Sequence, residues 1–328
     1  MTQSIVRGLA LAYAVLALGA CRESNTAAVA AAEDDGRVRV LDKGQRPRSK
    51  IRYSVSAGST TSSTTTLRVA SLVTGEQNAT LTVLPGLRLD IVAGPAEVTE
   101  RGVKFKVDVV RSEALVPEGL DDRVAEQLRD GAALAQGIGG WVEADDRGQV
   151  LAGAFNEQAK RPDVPVRLLR MIVNSRETLT RIRLPEEKVG LGARWESRRQ
   201  IKAYGFDLQQ VNTYTLVDRV GDEIMLNVTV QQMARPQRLD FPEDGVEISL
   251  RSMKSQAEGQ IIVDLDALES DASVNGTAED DLLVKTLEGT ESIDIKEKFE
   301  IQVVNTSALR TSAAVPDDAK SRGRRKGR

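Results

Sequence analysis

The sequence predicts an α+β fold: a mainly antiparallel, curved β-sheet, or two similar β lobes, with two amphipathic helices near the middle of the chain. Three observations carry this expectation. Apolar residues alternate with polar ones over 51–115 and again over 193–303, the period of a strand with one buried and one wet face. Turn-forming pairs such as Pro85-Gly86, Gly94-Pro95 and Gly221-Asp222 punctuate those runs. Between the two strand-rich halves lie two windows with helical spacing.

Taken in order, Ile51, Tyr53 and Val55 open the alternation. The run Ser59–Thr66 reads as an exposed strand face or a hairpin tip leading into Leu67, Val69 and Val73. Strands follow at Leu81/Val83, Leu87/Leu89/Ile91 and Val103/Phe105/Val107/Val109. The first helix covers 121–135, capped by Asp121 or Asp122, with Val124, Leu128, Ala132 and Ala135 on one stripe. A hairpin turns at Asp145-Asp146-Arg147-Gly148 between Trp141 and Val150. The second helix covers 163–182, with Pro165 in its first turn and Pro185 after its end. Strands resume at Ala193–Ala203, Phe206–Asp218, Ile224–Val230, Val246–Leu250, Gly259–Leu265 and Leu282–Leu287. The last is the run Ile293/Ile295/Phe299/Ile301/Val303.

The N-terminus carries the most specific signal. Arg7 precedes the apolar run Gly8–Ala20, which is too short for a helix that needs roughly 20 apolar residues to span a bilayer, and fits a secretory signal. It ends in Leu18-Gly19-Ala20-Cys21, which resembles the lipobox of bacterial lipoproteins. The resemblance implies signal-peptidase recognition at Leu18, Gly19 and Ala20, and lipidation of Cys21 through its thiol. Arg22 in place of Asp implies, by likeness to the sorting rule of enteric bacteria, the periplasmic face of the outer membrane. The expected organisation is a signal at 1–20, a flexible tether at 21–48, a β-rich body at 49–305 and a disordered basic tail at 306–328. The body reads as one domain or as lobes 49–160 and 183–305 joined by helix 163–182.

Composition narrows the chemistry. The chain has 45 basic and 48 acidic side chains and no histidine. Six of the basic residues crowd the tail between Lys320 and Arg328, so the body is acidic, which argues against nucleic acid as a partner. Cys21 is the only cysteine. Histidine- and thiol-based catalysis, zinc sites and haem ligation therefore lack their residues. Acidic groups stand at Asp121/Asp122, Asp145/Asp146, Glu186/Glu187, Asp264/Asp266/Glu269 and Glu279/Asp280/Asp281. None has the spacing of a calcium-binding loop, and they read as solvated turns. No catalytic, cofactor-binding or metal-ligating residue is assigned.

The stretch Leu184–Trp195, with Val189-Gly190-Leu191-Gly192-Ala193-Arg194-Trp195 followed by Thr213-Tyr214-Thr215-Leu216, resembles a family of uncharacterised bacterial lipoproteins, a domain of unknown function. That resemblance implies secretion, lipidation and an antiparallel β fold, and no activity. At the level of architecture the pattern is similar to periplasmic lipoprotein carriers. The expected function is a lipid-anchored, noncatalytic binding or interaction module of the cell envelope. Its partners would be the membrane, through Cys21, and a hydrophobic ligand or an envelope protein. The alternative is a carrier of lipid in an apolar groove between sheet and helices.

Overall fold

The computed structural model describes residues 38–75, 79–160, 179–203, 206–241, 246–286 and 289–306. The signal, Cys21 and the basic tail after Thr306 lie outside the described residues, as does most of the expected helix 163–182.

The fold is all but entirely β. Strands β1 (Val38–Asp42), β2 (Thr61–Thr74), β3 (Ala79–Ala93), β4 (Glu97–Thr99), β5 (Gly102–Leu115), β6 (Gly139–Ala144) and β7 (Val150–Phe155) come from the first half. Strands β8 (Arg194–Ala203), β9 (Phe206–Val220), β10 (Glu223–Ala234), β11 (Gln237–Phe241), β12 (Val246–Asp264), β13 (Asp271–Thr286) and β14 (Gly289–Asn305) come from the second. They form a 14-stranded sheet in the order β1-β8-β9-β10-β12-β13-β14-β2-β3-β5-β6-β7, with β11 beside β12 and β4 beside β5. Every pairing is antiparallel.

This corrects the α+β expectation with its two helices. Among the described residues one α-helix is present, α1 (Asp122–Ala133), and it flanks β5 rather than forming a layer. Asp121 caps it, accepting from the Arg123 and Val124 amides, and Ala125, Leu128 and Ala132 form its buried face, with Val124 only half-buried. The two strand-rich halves share one sheet, joined where β14 pairs with β2 and where β1 pairs with β8.

Several strands are longer than the alternation suggested. The segment 246–250 and residues 259–264 of the next belong to one 19-residue strand, which at roughly 3.3 Å per residue spans about 60 Å. A register shift between Leu250 and Ser252 allows residues of opposite parity, Leu250 and Met253, to be buried together. Ordered structure also starts earlier than the expected end of the tether: β1 pairs Val40 with Trp195 on β8. Ile51, Tyr53 and Val55 are buried in alternation but lie outside any strand. They form a strap whose backbone bonds Asp146 and Leu265 instead of a neighbouring ladder.

The Ser/Thr run is likewise not an exposed face. Thr61, Ser63 and Thr65 point inward and are buried, with Ser63 Oγ bonded to the buried Glu269 carboxylate.

The loop Leu184–Ala193 serves packing. Ser49 and Val189 exchange two backbone bonds, and a side chain at Gly190 would strike the Gln45 carbonyl, 1.9 Å from where its Cβ would stand. Gly192 supplies the left-handed turn, φ +78°. Beyond it Trp195 is fully buried, donates Nε1–H to the Arg183 carbonyl at 3.0 Å and lies 5.7 Å from the Tyr214 ring. Around this pair one large apolar cluster gathers Ile51, Ile182 and Leu184 with residues of β9, β10 and β12. A second cluster, centred on Phe206, Leu208, Leu250, Leu282 and Ile295, occupies the other end of the same strands.

Candidate ligand-binding site

Between those two apolar clusters the inward face of the sheet turns polar. The register aligns Arg199 on β8 with Gln210 on β9, Gln232 on β10, Ser255 on β12, Ala278 on β13, Glu297 on β14 and Ser71 on β2. All sit at positions with the parity of the buried residues of their strands. A period-two strand keeps this inward set in line, so the row crosses seven strands without a break.

At one end the row is well satisfied. Gln232 donates to Gln210 at 2.8 Å, Gln210 to Asn212 at 2.8 Å, and Asn212 to the Tyr214 hydroxyl at 3.1 Å. At the other end it is not. Asp280, diagonal to Glu297, is 8 % exposed and its Oδ1 has no hydrogen-bond partner among the described residues; neither has the buried Ser71 Oγ. Burial pushes the Asp280 carboxyl up to about 6. Burial, aided by repulsion from Asp280, pushes the Glu297 carboxyl up to about 7.

The next inward row, two residues along each strand, is Ala257, Gly276, Phe299 and Val69. These residues line a cavity of about 1170 Å³, walled by Gly86 on β3, Ala114–Pro117 at and just after the end of β5, and Arg129 on α1. Its size has a local cause. Gly86, Ala114, Ala257 and Gly276 are small where a filled interior needs bulk. The Phe299 ring lies over Gly276, where a Cβ would stand 2.4 Å from the ring and 2.7 Å from the Ala257 Cβ. Charged residues also line the cavity, among them Arg68, Glu113, Glu258, Lys298 and Glu300, with Arg68 and Glu300 paired at 3.4 Å.

A second polar spot lies at the far edge. Arg181 is buried with its guanidinium 4.8 Å from the Tyr53 ring centre and 5.3 Å from that of Phe105. Burial lowers its pKa, against the pull of Tyr53 and Asp145. The Tyr53 hydroxyl is pushed up to about 12, chiefly by burial, and exchanges hydrogen bonds with Ile182 N–H and C=O.

Of the acidic groups singled out in the sequence, Asp121 caps α1, and Asp145 accepts the Arg147 and Gln149 amides of its turn. Asp264 caps the turn after β12. Glu269 is buried against Ser63, and Asp280 sits in mid-strand facing inward, so neither is a solvated turn. The structure brings none of these groups together as a metal site: among the described residues no set of three or more acidic or cysteine ligands could hold an ion. Leu18, Gly19, Ala20 and Cys21 lie outside the described residues. Sequence reasoning missed Glu297 and Ser71. Their signal was present as polar gaps at 297 and 71 in otherwise apolar alternations.

No protein-family model matches the sequence, and no curated protein matches it. Among solved structures, the chain aligns with the crystal structure of Pseudomonas aeruginosa OccK8 (OprE) at TM-score 0.16 and 7 % identity, over 77 % of this chain and 99 % of that one. At that score the likeness carries no argument. No helix of the described residues is long and apolar enough to cross a membrane.

Proposed function

We propose that this protein is a lipid-anchored cell-envelope lipoprotein that binds an amphipathic ligand, without catalysis, in the cavity beside its inward polar row. The observation that carries the reading is the cavity itself. It is comparable with or larger than pockets of roughly 300–1,000 Å³ that enclose small molecules, and the small residues in its floor and walls keep it open. Its mixed lining, apolar at Val69, Leu115, Val116 and Phe299 and charged at Arg68, Arg129 and Glu258, matches a ligand with one apolar and one polar part. The anchor rests on Leu18–Cys21, and the outer membrane on Arg22. Two or more acyl chains would hold the protein durably, since each buried methylene contributes roughly 0.8 kcal/mol.

The test uses the full chain carrying Cys21→Ala, which removes the anchor. Solvent extraction and mass spectrometry of the purified protein are expected to yield an amphiphile near one per chain, and Ala257→Trp, which fills the floor, to lower that yield severalfold. An extract free of amphiphile, together with no binding of a fluorescent lipid analogue, would overturn the reading. A Cys21→Ala chain that still partitions with membranes at mature size would overturn the anchor.

A further inference from the structure

We propose that Asp280, Glu297 and Ser71 form the head-group site for an amphiphile bearing a primary ammonium group. This rests on the cavity reading above and names the class of ligand it takes. Glu297 and Ser71 face each other across β14 and β2, and Asp280 is the diagonal neighbour of Glu297 on β13, a Cα separation of roughly 7 Å. The three lie one inward row beyond Phe299 and Val69, outside the lining of the cavity itself, so the apolar chain would lie in the cavity with its head group reaching past Phe299 to them.

The chemistry of the set points to a donor-rich cation. Ionised carboxylates only accept hydrogen bonds, and the Ser71 hydroxyl has lone pairs to offer. An ammonium brings three donors to a place that, among the described residues, holds no basic side chain. By alternation, Lys254, Lys296, Lys298 and Arg68 stand at outward positions of β12, β14 and β2, so Arg68 and Lys298 border the cavity from outside the inward row that holds the three acceptors, and the inward positions of β12, β13, β14 and β2 carry no Lys or Arg. Asp280 Oδ1 and Ser71 Oγ are buried and, among the described residues, without a hydrogen-bond partner. Buried polar atoms are nearly always paired in folded proteins, and each unpaired one costs about 1–3 kcal/mol. Two uncompensated carboxyls are costlier still, which shows in the upward push on both. An ammonium would satisfy all of them at once. The Phe299 ring, two residues from Glu297 on the same side of β14, would face the carbons next to the charge. Calcium fits poorly, because it takes six to eight oxygens and this set has at most five.

The experiment compares three probes of equal chain length by calorimetry at pH 8, below their micelle concentrations, on the full Cys21→Ala chain: dodecylammonium, dodecyl maltoside and dodecyl sulfate. Dodecylammonium is expected to bind about tenfold or more tighter than the maltoside, and the sulfate weakest. Asp280→Asn with Glu297→Gln should bring the ammonium-to-maltoside ratio to about one. Retained far-ultraviolet circular dichroism confirms that the variant is folded. If maltoside and ammonium bind alike, or the preference survives in the double variant, the head-group assignment is wrong while the cavity reading stands. If none of the three binds, both are wrong.

Discussion

Glu297 offers the sharpest test of the inward polar row, because its burial has a calculable effect on stability. Its carboxyl rises from 4.5 to about 7 in the fold, first through burial and then through repulsion by Asp280. A carboxyl with a raised folded pKa binds protons better folded than unfolded, so stability falls as pH climbs from about 4.5 to 7. Below that window the penalty is absent; above it, it is complete. At about 1.4 kcal/mol per pH unit, the penalty above pH 7 is about 3 kcal/mol. Glu297→Gln keeps the shape and removes the charge, so urea unfolding at pH 8 should show a gain of about 2–3 kcal/mol, with little change at pH 4. Fully buried Trp195 is a convenient fluorescent reporter of the transition. Asp280→Asn should act in the same direction, and the double variant should gain less than the sum, because each substitution already relieves the other's repulsion. A Glu297→Gln protein equally or less stable than the parent at pH 8 would refute the reasoning.

Three further outcomes follow from single contacts. Gly276→Val should destabilise by about 2 kcal/mol or more in chemical denaturation, since the Phe299 ring, the Ala257 Cβ and the Gln256 carbonyl all stand within 2.8 Å of the first added carbon. Tyr53→Phe strips two hydrogen bonds from the buried Ile182 backbone and should cost about 1–3 kcal/mol by the same measurement. In the intact protein, spectrophotometric titration should find at least one tyrosine that keeps its proton until about pH 12. Arg181→Met should be far better tolerated than Arg181→Ala in thermal melts, because the aliphatic replacement still fills the space beside Tyr53 and Phe105 while removing a buried charge.

Strand content was legible wherever inward residues were apolar and outward ones polar, as in Val103–Val109 or Ile224–Val230. It was illegible where that contrast faded. The first half of β13 places Gly276, Ala278 and Asp280 inward against Asn275, Thr277 and Glu279 outward, so no alternation of hydropathy marks it and only Leu282–Leu287 stood out. The Ser/Thr run failed for a related reason: the buried Ser63 hydroxyl bonds Glu269, 206 residues away, and Thr61 Oγ1 accepts from the Leu268 amide, partnerships no local window contains. The helix cap at Asp121 was readable because it depends on neighbours three residues on. The cavity was not readable, since its floor and walls are assembled from single small residues on β3, β5, β12 and β13.

The polar row explains why the two apolar clusters remain separate. Had Ser71, Gln210, Gln232, Ser255 and Glu297 been leucine or valine, the inward face would run apolar from Trp195 to Phe206 and could close into one core. At about 25 cal/mol per Å² of apolar surface buried, such a core would be the more stable solution. A protein selected for stability alone has no use for an orphaned hydroxyl beside two raised carboxyls. The arrangement makes physical sense if the cost is offset when something binds, and the unsatisfied polar groups lie one inward row from the unfilled space. The satisfied end, from Gln232 to Tyr214, holds its own hydrogen bonds and needs no visitor. Only the end at Asp280, Glu297 and Ser71 is left waiting for donors, which is why the cationic head group, rather than the apolar chain, is the more discriminating probe of the proposed ligand.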